Sequence, residues 1–132
     1  VTGRATTRGA GVAQDELTIS GLECHGHHGV FDFERREGQR FVVDLTLGLD
    51  TTPAAASDDL HDTVDYGRLV GSVRAAVETD PVDLIETLAQ RISDVCLLDG
   101  RVEWCRVTVH KPDAPIDATF SGVALTITRR RT

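Results

Sequence analysis

The chain has 132 residues, 40% of them hydrophobic, and a formal net charge of −7; that is enough apolar material for one domain with a buried core. The acidic balance argues against a nucleic-acid binder, whose phosphate contacts need a basic face, and no apolar run approaches the roughly 20 residues that span a membrane. Three cysteines, Cys24, Cys96 and Cys105, cannot all pair within one chain, and the opening residues lack the apolar stretch of a secretion signal, so reduced thiols in a cytoplasm are the simplest expectation.

The opening "VTGRATTRGAGVAQ", residues 1–14, is rich in Gly, Thr and Ala without periodicity and is expected to be a disordered extension to a single domain over 15–132. "ELTISGLECHG" predicts a strand interrupted near Gly21. A charged loop then leads to "FVVDLTLGL", where Phe41, Val43, Leu45, Leu47 and Leu49 alternate with Val42, Asp44, Thr46 and Gly48, the pattern of a half-buried strand. "TTPAAASDDLHDTVD", residues 51–65, reads as loop. One helix is expected from about Tyr66, turning Leu69, Val70, Val73 and Val77 inward. A second follows Pro81, with Leu84, Ile85, Leu88, Ile92, Val95 and Cys96 at helical spacing and Glu86 outside that apolar arc. "RVEWCRVTVHK" predicts a strand ended by Pro112, and "VALTITR" the last strand. The order β-β-α-α-β-β makes an α+β fold: a four-stranded antiparallel sheet with two helices on one face, whose other face and edges favour association with further copies.

The segment "CHGHHGVFDFERREGQ" gathers Cys24, His25, His27 and His28, which suggests a metal site. In an extended strand, however, His25 and His27 share a face and His28 points away, and no second Cys/His pair stands at zinc-finger spacing. Of the 14 basic residues 13 are Arg, and the sole lysine is Lys111. A single lysine in so arginine-rich a chain suggests either a position where a permanently protonated guanidinium would not serve or a GC-rich codon bias with one lysine left by chance. Tyr66 is likewise the only tyrosine.

"GHHGVFDFERREGQRFVVDLTL", "DTVDYGRL", "LIETLAQRI" and "VTVHKPDAPI", in that order from about Leu17 to Arg129, closely resemble the dihydroneopterin aldolases of folate biosynthesis. The resemblance implies the tunnelling fold, tetrameric rings stacked into octamers, and active sites between subunits. It implies a metal-free, cofactor-free retro-aldol cleavage of a pterin substrate, with no lysine Schiff base. The pterin's own C6=N5 imine accepts the electrons released at C1′, so the protein has only to bind, orient and move protons. The histidines are then incidental, with Gly29 and Glu34 the motif residues of that stretch.

By the same resemblance Lys111 is the general acid/base near N5, and Tyr66 relays a proton to the carbanion carbon. Glu34 holds the substrate's side-chain hydroxyls, with Gln39 supporting its loop. Glu86 accepts the two parallel donors of the pterin N2/N3 edge, as a carboxylate can, while Ile85 and the Thr63, Val64 and Asp65 segment complete the pocket. Lys111 ends a strand and Tyr66 begins a helix, so both are expected to be dispensable for folding. Three rivals remain: a 2′-epimerase of dihydroneopterin or its triphosphate on the same fold, a zinc-dependent pterin enzyme using the histidines, and a non-catalytic assembly module.

Overall fold

The computed structural model describes residues 13–132. The expected N-terminal extension over 1–14 therefore lies outside the described residues except for its last two positions. Four strands, β1 (Asp15–Gly26), β2 (Gln39–Leu49), β3 (Trp104–Lys111) and β4 (Val123–Arg130), form one sheet in sequence order, every neighbouring pair antiparallel. Between β2 and β3 run the two long helices, Tyr66–Glu78 and Ile85–Cys96. They cover one face of the sheet, as the alternation in β2 demands. Phe41, Val43, Leu45 and Leu47 are fully buried and meet Val73, Val77, Leu88 and Ile92 from the helices. Each such side chain contributes about 1.5–3 kcal/mol relative to leaving it in water.

Two short helices interrupt segments expected to be loop. Asp32–Glu37, here α1, lies between β1 and β2, and Thr52–Ser57, here α2, follows β2; the long helices are accordingly α3 (Tyr66–Glu78) and α4 (Ile85–Cys96). A 3-10 turn at Leu60–Asp62 precedes α3. In α2 the proline stands in the first turn, where its missing N–H has no intrahelical acceptor to lose. Strand β3 begins at Trp104, three residues later than the apolar pattern suggested, because Asp99 accepts the Arg101 N–H at 2.9 Å and holds 99–102 in a turn.

The interruption of β1 is a bulge. Ile19 pairs with Leu45 and Leu22 with Val43, so β1 carries one extra residue there. Gly21 takes up a positive φ of 71° and donates its N–H to Asp44 Oδ1 at 2.7 Å. The other oxygen of Asp44 lies 2.7 Å from His110 Nε2 on the uncovered face. These two hydrogen bonds hold the Asp44 carboxyl below its ordinary pKa, the Gly21 N–H contributing most. No helix of the described residues is long and apolar enough to cross a membrane.

Candidate active site

The site starts from a glycine. Gly29, three residues past the end of β1, has φ of 146°, and its N–H donates to Val82 O at 2.9 Å. The next turn starts α1, whose third residue, Glu34, folds its carboxylate back over the turn. Oε1 accepts the Phe31 N–H at 3.2 Å, and Oε2 accepts Gln39 Nε2 at 2.8 Å from the start of β2. Gln39 also donates to His28 O at 3.4 Å. The third partner arrives from β3: Lys111 Nζ is 2.7 Å from Glu34 Oε2. Lys111 is the last residue of that strand and shares the inward parity of Val107 and Val109.

Glu34 and Lys111 side chains are 2% and 15% exposed. Burial by itself raises the Glu34 pKa, but hydrogen bonds from Lys111, Gln39 and the Phe31 N–H outweigh it, and the carboxyl sits below its ordinary value. A buried ion pair of this kind is costly to break from one side, since the remaining charge is left without compensation. Loss of Lys111 is therefore expected to cost stability, which its place at a strand end did not suggest.

The pair forms one wall of a cavity of about 270 Å³. Ile85 and Glu86, at the start of α4, stand on another, with Phe31, Leu84 and Ile116 around them. Glu86 is exposed, and lies in the first turn of its helix beside backbone N–H groups that lack intrahelical acceptors. Glu34, Gln39, Lys111, Ile85 and Glu86 thus come together around one region of the chain. The Thr63, Val64 and Asp65 segment does not join them. It lines a separate cavity of about 430 Å³ with His61, Arg68 and Arg101. Val64 is 3% exposed, buried in the core. Asp65 caps α3 by accepting the Arg68 N–H at 3.2 Å, and Tyr66, directly after it, is 59% exposed.

The histidine cluster divides, although β1 ends at Gly26 and leaves His27 and His28 outside the strand. His25 and His27 meet edge to face at 5.2 Å and bond the carbonyls of Glu37 and Arg35. His28 turns inward, with its ring 5.4 Å from that of Phe41. Among the described residues, no three His, Cys, Asp or Glu side chains are gathered as a metal site. Spacing had left His28 without a role, yet it is buried and hydrogen-bonded at both ring nitrogens. Arg35 is a second residue that sequence reasoning missed: it donates to Gly29 O at 3.1 Å and pairs with Asp83 at 2.5 Å.

This constellation can be set beside known proteins. The family model for dihydroneopterin aldolase (FolB) matches residues 17–128. The chain belongs to the dihydroneopterin aldolase family. The enzyme of that name from Streptomyces coelicolor is 56% identical over 117 residues, covering 89% of this chain and 98% of the relative. Among solved structures, the E. coli dihydroneopterin aldolase in complex with neopterin superposes with a TM-score of 0.80 at 29% identity, covering 88% of this chain and 99% of that one. The Burkholderia thailendensis dihydroneopterin aldolase bound to guanine superposes at 0.70 and 27% identity, over 89% and 92%. The α+β sheet-and-helix arrangement is that of the family. Within the matched range, Glu34, Lys111, Ile85 and Glu86 are residues that line the 270 Å³ cavity.

Proposed function

We propose that the chain cleaves the C1′–C2′ bond of 7,8-dihydroneopterin, yielding 6-hydroxymethyl-7,8-dihydropterin and glycolaldehyde, with neither a metal nor a Schiff base. The observation that carries this reading is the Lys111–Glu34 pair, 2.7 Å apart, on the wall of the cavity that also holds Glu86. Neopterin in the E. coli relative and guanine in the Burkholderia relative both present the fused amino-pyrimidinone edge that a carboxylate such as Glu86 can accept from two donors.

The step balances without an added electron sink. Loss of the C2′ hydroxyl proton turns C2′ into the aldehyde carbon of glycolaldehyde as C1′–C2′ breaks. The electron pair enters C6=N5, and N5 takes a proton. Protonation at C1′ and loss of the N5 proton then restore the imine. Lys111, paired with a carboxylate held in its ionised form, is the proton carrier at the N5 side. Glu34 keeps acceptor capacity for a side-chain hydroxyl, and Gln39 holds it in place. Tyr66 serves C1′.

Tyr66 and the Thr63–Asp65 segment line no part of the Glu34 cavity, so they complete the site from a neighbouring subunit in this reading. The apolar residues beside that cavity support such a contact: Phe31, Leu84 and Ile116 are 50%, 51% and 55% exposed and line the same cavity, the kind of grouped apolar surface that interaction sites use. Rings of four, stacked as octamers, are the proposed assembly. The three free buried thiols fit the reducing cytoplasm proposed as its location.

Incubation of chelator-treated protein with 7,8-dihydroneopterin, followed by product identification, tests the reading. The hydroxymethyl pterin and glycolaldehyde are the expected products. Recovery of the 2′-epimer alone, or turnover lost on chelation and restored by zinc, would assign the site to one of the two rival enzymes.

A further inference from the structure

Of the five histidines only His28 is buried, at 1% exposure. Its Nε2 donates to Val77 O at 2.6 Å, near the end of α3, and its Nδ1 accepts the Val82 N–H at 3.1 Å. One partner is a carbonyl and the other an N–H, so the pair of contacts fixes the neutral tautomer with its proton on Nε2. Burial holds the ring's pKa below the ordinary histidine value, against the pull of the Val77 carbonyl; Arg91 of α4, Arg35 of α1 and neighbouring His27 push the same way.

The Val82 contact is half of a reciprocal clamp, because Val82 O in turn accepts the Gly29 N–H at 2.9 Å. Arg35 reinforces it outside, bonding Gly29 O and Asp83. One jaw is the turn that carries Glu34. The other is the segment that delivers Ile85 and Glu86 into the cavity. Glu34 is fixed to Lys111, so the clamp sets where the pterin-anchoring carboxylate stands relative to the proton-handling pair.

We propose that His28 is a positioning residue for the cleavage: through Nδ1 it holds the Val82–Glu86 segment so that a pterin anchored on Glu86 presents its C1′–C2′ bond to Lys111. The inference rests on the function proposed above. It predicts that the two ring nitrogens are separable. In His28→Asn the amide oxygen sits near the Nδ1 position, keeping an acceptor for Val82 while losing Val77. In His28→Gln the amide nitrogen reaches toward Val77, and the Val82 acceptor is gone.

The experiment compares both variants with the wild type by three readouts: amide hydrogen exchange at Val82, kcat for 7,8-dihydroneopterin, and affinity for 6-hydroxymethylpterin, which has no bond to break. His28→Gln is expected to accelerate Val82 exchange about tenfold or more and to lower kcat by about tenfold or more, with pterin affinity within about threefold, since displacement of a bound substrate by an ångström is enough for such a loss. His28→Asn is expected to keep Val82 protection and most of kcat. Equal losses of kcat in the two variants, or a His28→Gln protein with full Val82 protection and full kcat, overturn the proposal. If either variant does not fold, the wild type carries the test. Acidification that protonates His28 should release Val82 protection before that of core Val43, and simultaneous loss of both overturns the proposal. A wild type unable to cleave dihydroneopterin defeats the functional reading, while Val82 exchange still decides whether the clamp exists.

Discussion

Gly29 and Glu34 occupy space that only one side chain can fill. A Cβ built on Gly29 would lie 2.2 Å from Glu34 Oε1, far inside contact distance, and the backbone there has φ of 146°. Gly29→Ala should therefore expel the Glu34 carboxylate and separate it from Lys111. Activity is expected to fall about a hundredfold, with a stability loss of about 1–3 kcal/mol from the strained backbone. Parallel measurement of kcat and denaturant midpoint checks this; full activity in Gly29→Ala contradicts the site geometry.

Lys111→Ala removes both a proton carrier and the counterion of a buried carboxylate. Substrate consumption should drop about a hundredfold or more, and stability should fall by about 3 kcal/mol because Glu34 is left unpaired. Adding Glu34→Gln to Lys111→Ala should recover part of that stability and none of the activity. Lys111→Arg should restore the charge without the turnover, since guanidinium does not release a proton near neutral pH. An active arginine variant is the result that removes Lys111 from acid-base chemistry.

The depressed Glu34 pKa also fixes the sign of an acid dependence. As pH falls, the unfolded chain takes up this proton before the folded one does. The contribution to stability is complete above the ordinary glutamate pKa and is lost as pH falls toward the lower folded value. In Glu34→Gln this part of the acid destabilisation should be absent. Thermal midpoints of the two proteins measured from about pH 6 down to about pH 3 should converge as pH falls, and parallel curves contradict the assignment.

Glu86→Ala should weaken pterin affinity by about 2–4 kcal/mol, leaving two ligand donors without their charged acceptor. The melting temperature should stay unchanged, because Glu86 is exposed and off the buried face of α4. Titration with a pterin decides: unaltered affinity places the anchor elsewhere.

Tyr66→Phe should uncouple consumption from product. In the proposed mechanism cleavage draws on Lys111, whereas the Tyr66 hydroxyl is assigned to protonating C1′ afterwards. The variant is expected to keep consuming dihydroneopterin while its intermediate is diverted, for example to oxidation by dissolved oxygen. Substrate and hydroxymethyl product followed together, in air and under argon, should diverge only in air. Equal loss of both rates under either atmosphere rules out the division of labour.

The sheet and long helices were legible because their signals are local and periodic. Alternation in β2 named its five inward residues, and Gly21 marked the bulge. The short helices had no such signal. All six residues of α2 lack a buried side chain, so there is no apolar period to read. The single buried residue of α1 is Glu34, the kind of side chain that patterning assigns to water. Lys111 and Tyr66 stood out as the only residues of their types. His28 did not, since its meaning depends on Val77 and Val82, which lie 49 and 54 residues away in the chain. Residue type suggested a ligand, whereas its two partners make it a brace.

The seclusion of Lys111 has a practical consequence. Its side chain is 15% exposed and ion-paired, and no other lysine exists in the chain. Among the described residues, the outer surface therefore offers no ε-amine for coupling to resins, dyes or cross-linkers. Acylation that does reach the lysine must enter the cavity, and under the proposed function it is expected to silence the enzyme, so mass gained at Lys111 becomes a stoichiometric count of sites that were open when the reagent arrived.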